Sequence, residues 1–455
     1  MRWHKHFCLP RRDSSRRFSC IYKFRCRDSL FSAALFFAAA AYAAPTFHRD
    51  IVPILEGKCQ TCHRPGQIAP MSFLTYESTR PWAKAIKEAV VTRKMPPWPA
   101  DPQYGHFSND RTLQPGEIET IAQWVNAGAP EGDLRDSPPP IQWPQGWIIP
   151  PDVVVSMPKP FPVPAHGVLE LTTITIPSGF KEDTWITSIE IRPGDRSVVH
   201  HVSLQIVPHE DDVEYGVPHS AVKQRDPAGV ALKKVAKADR LGGLFGLETT
   251  YDPGTAPVDY RPYHAGKFVP AGADLILQMH YTTNGKASSD QTSIGFTVAK
   301  EPPERQFVTV VPTALRDPAH FHIPAGDANW ESHATVVFQQ DVEIAWLMPH
   351  MHLRGKDMTY RLVLPNGQSQ TLLSVKWDFN WQMGFALEKP IDAPKGSRLE
   401  VAAHFDNSAN NPRNPNPNTD VWWGDQTWEE MMVPWFGVLA GKRADREKLI
   451  RYASR

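Results

Sequence analysis

Cysteine is nearly absent from this chain once its first 45 residues are set aside. Of five cysteines, Cys8, Cys20 and Cys26 fall in the N-terminal stretch, and only Cys59 and Cys62 follow. At most one disulfide can form among the rest, so disulfides are not what holds the fold together. Basic runs are missing after residue 45 as well. Residues 1–30 carry nine Lys/Arg against Asp13 and Asp28, and the chain beyond residue 45 has 40 basic and 47 acidic side chains, a net of −7. A body of that sign lacks the basic face nucleic acid requires, so no nucleic-acid partner is expected. There is no Gly-rich phosphate loop, no Ser-His-Asp pattern and no convincing internal repeat.

One apolar run is present, Leu30 to Ala44 (LFSAALFFAAAAYAA), preceded by the basic stretch. It is short for a spanning helix, which needs about 20 residues. Small residues crowd its end, and Ala41-Tyr42-Ala43 fits an A-x-A cleavage site. Residues 1–44 therefore read as a signal peptide, with a retained membrane anchor as the alternative. The expectation is a periplasmic or secreted protein with no stable membrane span after signal removal.

At 455 residues the chain has room for about three domains. Its 44 prolines, about twice the usual share, favour a loop-rich, β-rich body. Residues 45–133 read as helical: Arg80 to Arg93 has apolar residues at helical spacing, and Gln114 to Ala127 has Pro115 near its start and Gly128 as a stop. Residues 134–165 are a Pro-rich linker. From residue 166 the period changes to two, in runs such as SVVHHVSLQIV, ADLILQMHYTT, EIAWLMPHMHL and RLEVAAHF. Two β-sandwiches are expected, at 166–315 and 316–440, followed by a tail at 441–455. The expected fold is thus multidomain: a small all-α domain, then two all-β sandwiches.

Cys59-Gln60-Thr61-Cys62-His63 is a CxxCH motif. Two thioether links to haem vinyls need cysteines one helical turn apart, and the next residue then offers its imidazole to iron. The other reading is a dithiol or a lone disulfide. One covalent haem c is expected, bound by Cys59, Cys62 and His63, which would make residues 45–133 a small all-α cytochrome c domain. Met95, in Lys94-Met95-Pro96-Pro97, is the expected sixth ligand; Met71 competes, and His48 and His106 are weaker choices.

A second constellation lies in the β region: His200-His201, His280 in LQMHY, His350-Met351-His352, and Met431-Met432 after Glu429-Glu430. An HxH pair on a strand puts both imidazoles on one face. Adjacent histidines point opposite ways, so His200 and His201 can share a metal only where the strand ends or bulges. The residues divide into His200, His201, His280 and His350, His352, Met431. Imidazole-only and imidazole-plus-thioether sets both suit copper, and zinc sites rarely use Met. His320-Phe321-His322 is a second HxH, read as a decoy with a proline close on each side; His404, Asn407 and Asn411 read as loop hydrogen-bonding residues, and His264 has no assigned role.

In these motifs and their order the chain resembles the copper type II, ascorbate-dependent monooxygenases, which include the peptidylglycine α-hydroxylating and dopamine β-monooxygenases. The resemblance covers about residues 160–440. It implies two jelly-roll-like β-sandwiches, each holding one copper ion: an electron-transfer copper on His200, His201 and His280, and a catalytic copper on His350, His352 and Met431, where O2 reacts with a substrate C–H. Met431 is preferred to Met432 because Glu430-Met431 matches the family's acid-Met pair. The positions that hold a substrate carboxylate in peptide-hydroxylating members are Met348, Val433 and Trp435 here, and none can pair with one. The expected partners are a small organic substrate, O2, and ascorbate or a periplasmic electron donor. A tethered haem would supply reductant at high effective concentration. The alternative is a non-catalytic periplasmic electron-transfer or copper-binding protein on the same scaffold.

Overall fold

The structure, a computed structural model, describes residues 44–144, 146–209, 211, 213–220, 247–252, 254–312, 321–424, 426–442 and 444–452. The expected signal peptide with Cys8, Cys20 and Cys26, the break near residue 315 and His320 lie outside them, apart from Ala44 at the leader's end.

The expected fold needs correction at its N-terminal end, because no sizeable all-α cytochrome domain exists among the described residues. Residues 45–133 hold only short α-helices: α1 (Val52–Lys58), α2 (Tyr76–Thr79), α3 (Ala83–Val91) and α4 (Pro115–Asn126), the longest at 12 residues. They enclose a small core around Phe47, Leu55, Ile86 and Trp124. Pro115 sits in the first turn of α4, where its missing N–H costs nothing, and Glu117 reaches back to the Gln114 amide at 2.7 Å. Gly128 follows with φ +91°, the left-handed conformation that ends a helix cheaply only at glycine.

Between α3 and α4 the chain is extended and built onto the C-terminal β region. Ala100 bridges Val375 and Phe107 bridges Leu387. Trp98 and Phe107 meet Phe385 edge-on at 5.0 and 5.4 Å. The reason lies in composition: Pro96, Pro97, Pro99 and Pro102 forbid helix here, and two large aromatics gain most by joining a neighbouring core. Residues 44–455 accordingly form one compact unit.

Three large sheets organise the β region. A nine-stranded sheet runs in the order Val153–Ser156, Ser293–Val298, Thr184–Arg192, Ala265–Val269, Arg305–Val310, Val433–Gly441, Val342–His350 and Phe385–Ala393, with Val258–Asp259 on the third strand. Parallel pairing of Arg305 with Ala265 joins the halves, so this sheet is continuous across them. One five-stranded sheet (Pro218–Ser220, Thr172–Pro177, Asp274–Tyr281, Val199–Val207, Leu247–Tyr251) shares a core with the first half through Ile174, Leu204, Leu277, Ile189 and Phe296. The other (Ser369–Lys376, Gly355–Val363, Arg398–Phe405, Trp330–Phe338, Ile450–Tyr452) does so with the second half through Leu347, Phe436, Tyr360 and Val401. Among the described residues, no helix is long and apolar enough to cross a membrane.

Candidate metal centres

The strand Val199–Val207 pairs antiparallel with Asp274–Tyr281, and His201 lies opposite His280. The register then slips, so that Tyr281 faces Val199 and His200 is the extra residue of a bulge. A regular strand would turn His200 away from His201; the bulge brings both to one side. A ring nitrogen of each of His200, His201 and His280 lies within 4.8 Å of the others. The His200 and His201 Nδ1 atoms are 3.2 Å apart, and Phe379 stacks on His200 at 5.6 Å and 18°. Burial lowers all three pKa values: His280 falls to about 4, with the charges of His200 and His350 adding to the effect, and His201 goes well below its ordinary value. Neutral imidazole is the form that binds metal.

His350 ends the strand Val342–His350 opposite Val433, while His352 lies beyond it in the following turn. Strand alternation therefore does not set this pair, contrary to the expectation from HxH. The turn places the rings 5.3 Å apart at 88°. His350 Nδ1 donates to Gln382 Oε1 at 2.6 Å and His352 Nδ1 to the Glu429 carbonyl at 3.3 Å. Both assignments follow from the acceptors, which carry no proton, and they leave both Nε2 lone pairs open. Burial pushes His350 down to about 4 and His352 to about 3.

Glu430 holds this turn in place. Its carboxylate accepts from the amides of His352 (2.9 Å), Met431 (3.1 Å) and Arg354 (2.5 Å). Burial raises it to about 7 despite those bonds. Arg354, itself buried, donates from Nε to Asn407 Oδ1 (2.7 Å) and from Nη1 to the Trp428 carbonyl (2.9 Å). The tail of the HMHLRGK motif is thus scaffolding for the imidazoles before it.

Both histidine sets open on one cavity of about 60 Å³, lined by His201, His280, His350, His352 and Met431. Met432 is fully buried in the C-terminal core and does not line it. Gln382, Phe379, Gln426, Thr250 and Asp252 also line or touch the site, and sequence reasoning singles out none of them. No local signal marks them, since they arrive from three separate stretches of chain, around residues 250, 380 and 426.

Asp252 is buried in this wall, accepts from Thr250 Oγ1 at 2.7 Å, and is pushed up to about 7 by desolvation. A carboxyl whose folded pKa is raised stabilises the fold fully below its unfolded pKa and loses that contribution as pH rises through the folded value. Metal-free Asp252→Asn protein should therefore match wild type near about pH 4 and exceed its stability near about pH 8. Urea unfolding at both pH values measures this, and equal differences at the two would contradict the buried, protonated carboxyl.

Cys59, Cys62, His63, Met71 and Met95 all line a second cavity of about 510 Å³. That is within the size range of cofactor pockets. Both thiols are free, burial pushes Cys59 up to about 12, and His63 stacks on Phe73 at 4.2 Å and 11°. The donor set and the space fit a covalent haem, and either Met71 or Met95 could supply a thioether to it. His48 instead bonds Ser137 Oγ at 2.7 Å, and neither it nor His106 lines the cavity. Trp381 does line it, two residues from the Phe379 ring on His200 and next to Gln382 on His350. A single loop therefore touches all three sets of candidate ligands.

Three further histidines among the described residues serve elsewhere. His404 Nδ1 is 2.6 Å from Asp357, His322 bonds Asp420 at 2.8 Å, and His264 occupies a left-handed turn position at φ 52°. Asn407 bonds the Pro324 and Thr419 carbonyls, and Asn411 bonds those of Leu353 and Asp406.

No protein-family model matches the chain, and no curated protein matches it. Among solved structures it is similar to that of the infectious bursal disease virus Gx strain, at 8% identity over 66% of this chain and 75% of that one, with a TM-score of 0.17. The VP2 subviral particle of the same virus gives 11% identity over 65% and 72%, with a TM-score of 0.16. Overlaps this weak carry no argument about fold or function.

Proposed function

We propose that this is an exported copper-dependent monooxygenase that hydroxylates an organic C–H with O2, with electrons supplied through a covalently bound haem c. The observation that carries the reading is that His201 and His280, which cluster with His200, meet His350, His352 and Met431 on one cavity. Imidazole triads and an imidazole-thioether set suit copper in both its oxidation states. Copper would supply the oxygen activation: substrate C–H, O2, two electrons and two protons give an alcohol and water.

The chain's own part is placement. The bulge at His200 and the Glu430 clamp aim the imidazoles, Gln382 and the Glu429 carbonyl fix their tautomers, and the buried, half-apolar walls limit water. For the haem, Cys59 and Cys62 would form the thioether links, and His63 and, in preference to Met71, Met95 would bind iron. The Phe379–Gln382 loop, reaching both the CxxCH cavity and His200, supports a direct supply of electrons to the first histidine set.

The test is metal content and oxygen uptake of protein exported from a haem-attaching host and loaded with copper. One iron and two coppers per chain, with ascorbate-dependent oxygen uptake that rises on adding substrate, is the expected result. Bound copper without substrate-dependent uptake across a broad panel would favour the electron-carrier alternative. An absence of bound copper would sink the oxygenase reading.

A further inference from the structure

The cavity has two polar atoms left over. Gln426 Nε2 and Trp435 Nε1 are buried and have no hydrogen-bond partner among the described residues. Their side chains are 8% and 4% exposed, and both line the cavity beside His350, His352 and Met431. Buried N–H groups in folded proteins are nearly always paired, so two orphans on residues that line one cavity point to a ligand that accepts from them.

Both donors sit on anchored backbone. The Gln426 amide donates to Glu429 Oε2 at 2.9 Å, which holds its backbone beside His352. The Trp435 ring stacks parallel to His350 at 6.1 Å and 9°, and its backbone pairs with Met348 across the sheet. The Trp435 donor is therefore fixed relative to the second histidine set, and the Gln426 side chain starts from anchored backbone.

The charges around them narrow the ligand. Among the described residues no Lys or Arg lines the cavity, and Arg354 is turned toward Asn407 and Trp428. A carboxylate held by Gln426 and Trp435 would find no side-chain cation there, and one bound at copper instead would leave the two donors unpaired. The one acid on the wall among the described residues is Asp252, already bonded to Thr250 and held toward its neutral form by burial, which makes it a poor partner for an ammonium group. Leu171, Met348 and Phe379 supply apolar wall, and about 60 Å³ holds the head of a small molecule rather than the whole of a large one.

We propose that Gln426 and Trp435 form a substrate subsite for an uncharged organic molecule, whose carbonyl, ether or hydroxyl oxygen accepts from Gln426 Nε2 and Trp435 Nε1. Its apolar body packs on Met348 and Phe379, and a C–H near that oxygen lies beside His350, His352 and Met431. The subsite rests on the oxygenase reading for the fate of that C–H, but not for the binding itself.

The test uses the full-length, haem- and copper-loaded protein and three probes of similar shape: acetophenone, benzoate and benzylamine. Calorimetric titration should show acetophenone binding at least about tenfold tighter than the two charged probes. Gln426→Leu and Trp435→Phe should each weaken acetophenone roughly three- to tenfold, the scale of one lost hydrogen bond, with copper content unchanged. Having two variants at separate positions guards against a folding defect in one of them. Binding of benzoate or benzylamine as tight as acetophenone, no acetophenone binding, or variants that bind it unchanged would each overturn the subsite. If copper fails to load while acetophenone binding still depends on Gln426 and Trp435, the subsite stands and the oxygenase reading falls. If both coppers load and the neutral probe is not preferred, the subsite falls and the oxygenase reading stands.

Discussion

Replacing His280 by Ala should leave one copper per chain instead of two and stop turnover almost entirely, while the haem spectrum is unaltered. His280 stands opposite His201 at the bulge, and a ring nitrogen of it completes the three-imidazole set. Losing even a hydrogen-bond partner of a ligand usually costs roughly 10–100-fold in metal affinity, so losing a ligand should exceed about 100-fold. The strand has eight residues and packs through Leu275, Leu277 and Met279, which the substitution does not touch, so the fold should persist. Elemental analysis gives the copper count, and anaerobic mixing of reduced haem with oxidised copper gives the second readout. Full copper retention in His280→Ala would show that this triad is not a metal site.

Glu430→Gln should destabilise the protein by about 3 kcal/mol and empty the second site selectively. One carboxylate accepts three backbone amides within the turn that carries His352, Arg354 and Met431. An amide side chain keeps one acceptor oxygen and puts an NH2 against at least one of those N–H groups. Each buried donor left unpaired costs about 1–3 kcal/mol, and no water can replace the bond where Glu430 is fully buried. The turn that aligns His352 with Met431 should then relax, so that copper bound by the first triad survives and the second is lost. Urea unfolding together with copper analysis measures both effects. A loss below about 1 kcal/mol with two coppers retained would mean that the clamp is dispensable.

What could be read from the sequence was chemistry that depends on neighbours in the chain. CxxCH requires only one helical turn of proximity, and all of its donors, with both candidate thioethers, line one cavity. Period-two runs such as SVVHHVSLQIV and ADLILQMHYTT lie on strands because burying one face demands that alternation. The condition on His200 and His201, a bulge, comes from the same geometry and is met.

The misreadings are also local in origin. Helical spacing in Arg80–Arg93 and Gln114–Ala127 suggests a helical domain, but the prolines between them send the chain into a neighbouring sheet. Strand alternation does not extend through His350-Met351-His352, because the strand ends at His350 and Glu430 shapes the turn beyond it.

The sequence by itself determined which donor atoms this protein owns and which of them can sit side by side, because covalent spacing and strand period are properties of a few consecutive residues. Only the tertiary structure decided which donors converge. Gln382 reaches His350 across 32 residues, and Asp252, Gln426 and Trp381 come from separate loops to the same two cavities. Their placement follows from sheet pairing and core packing summed over the whole chain, and no short stretch of sequence carries that sum.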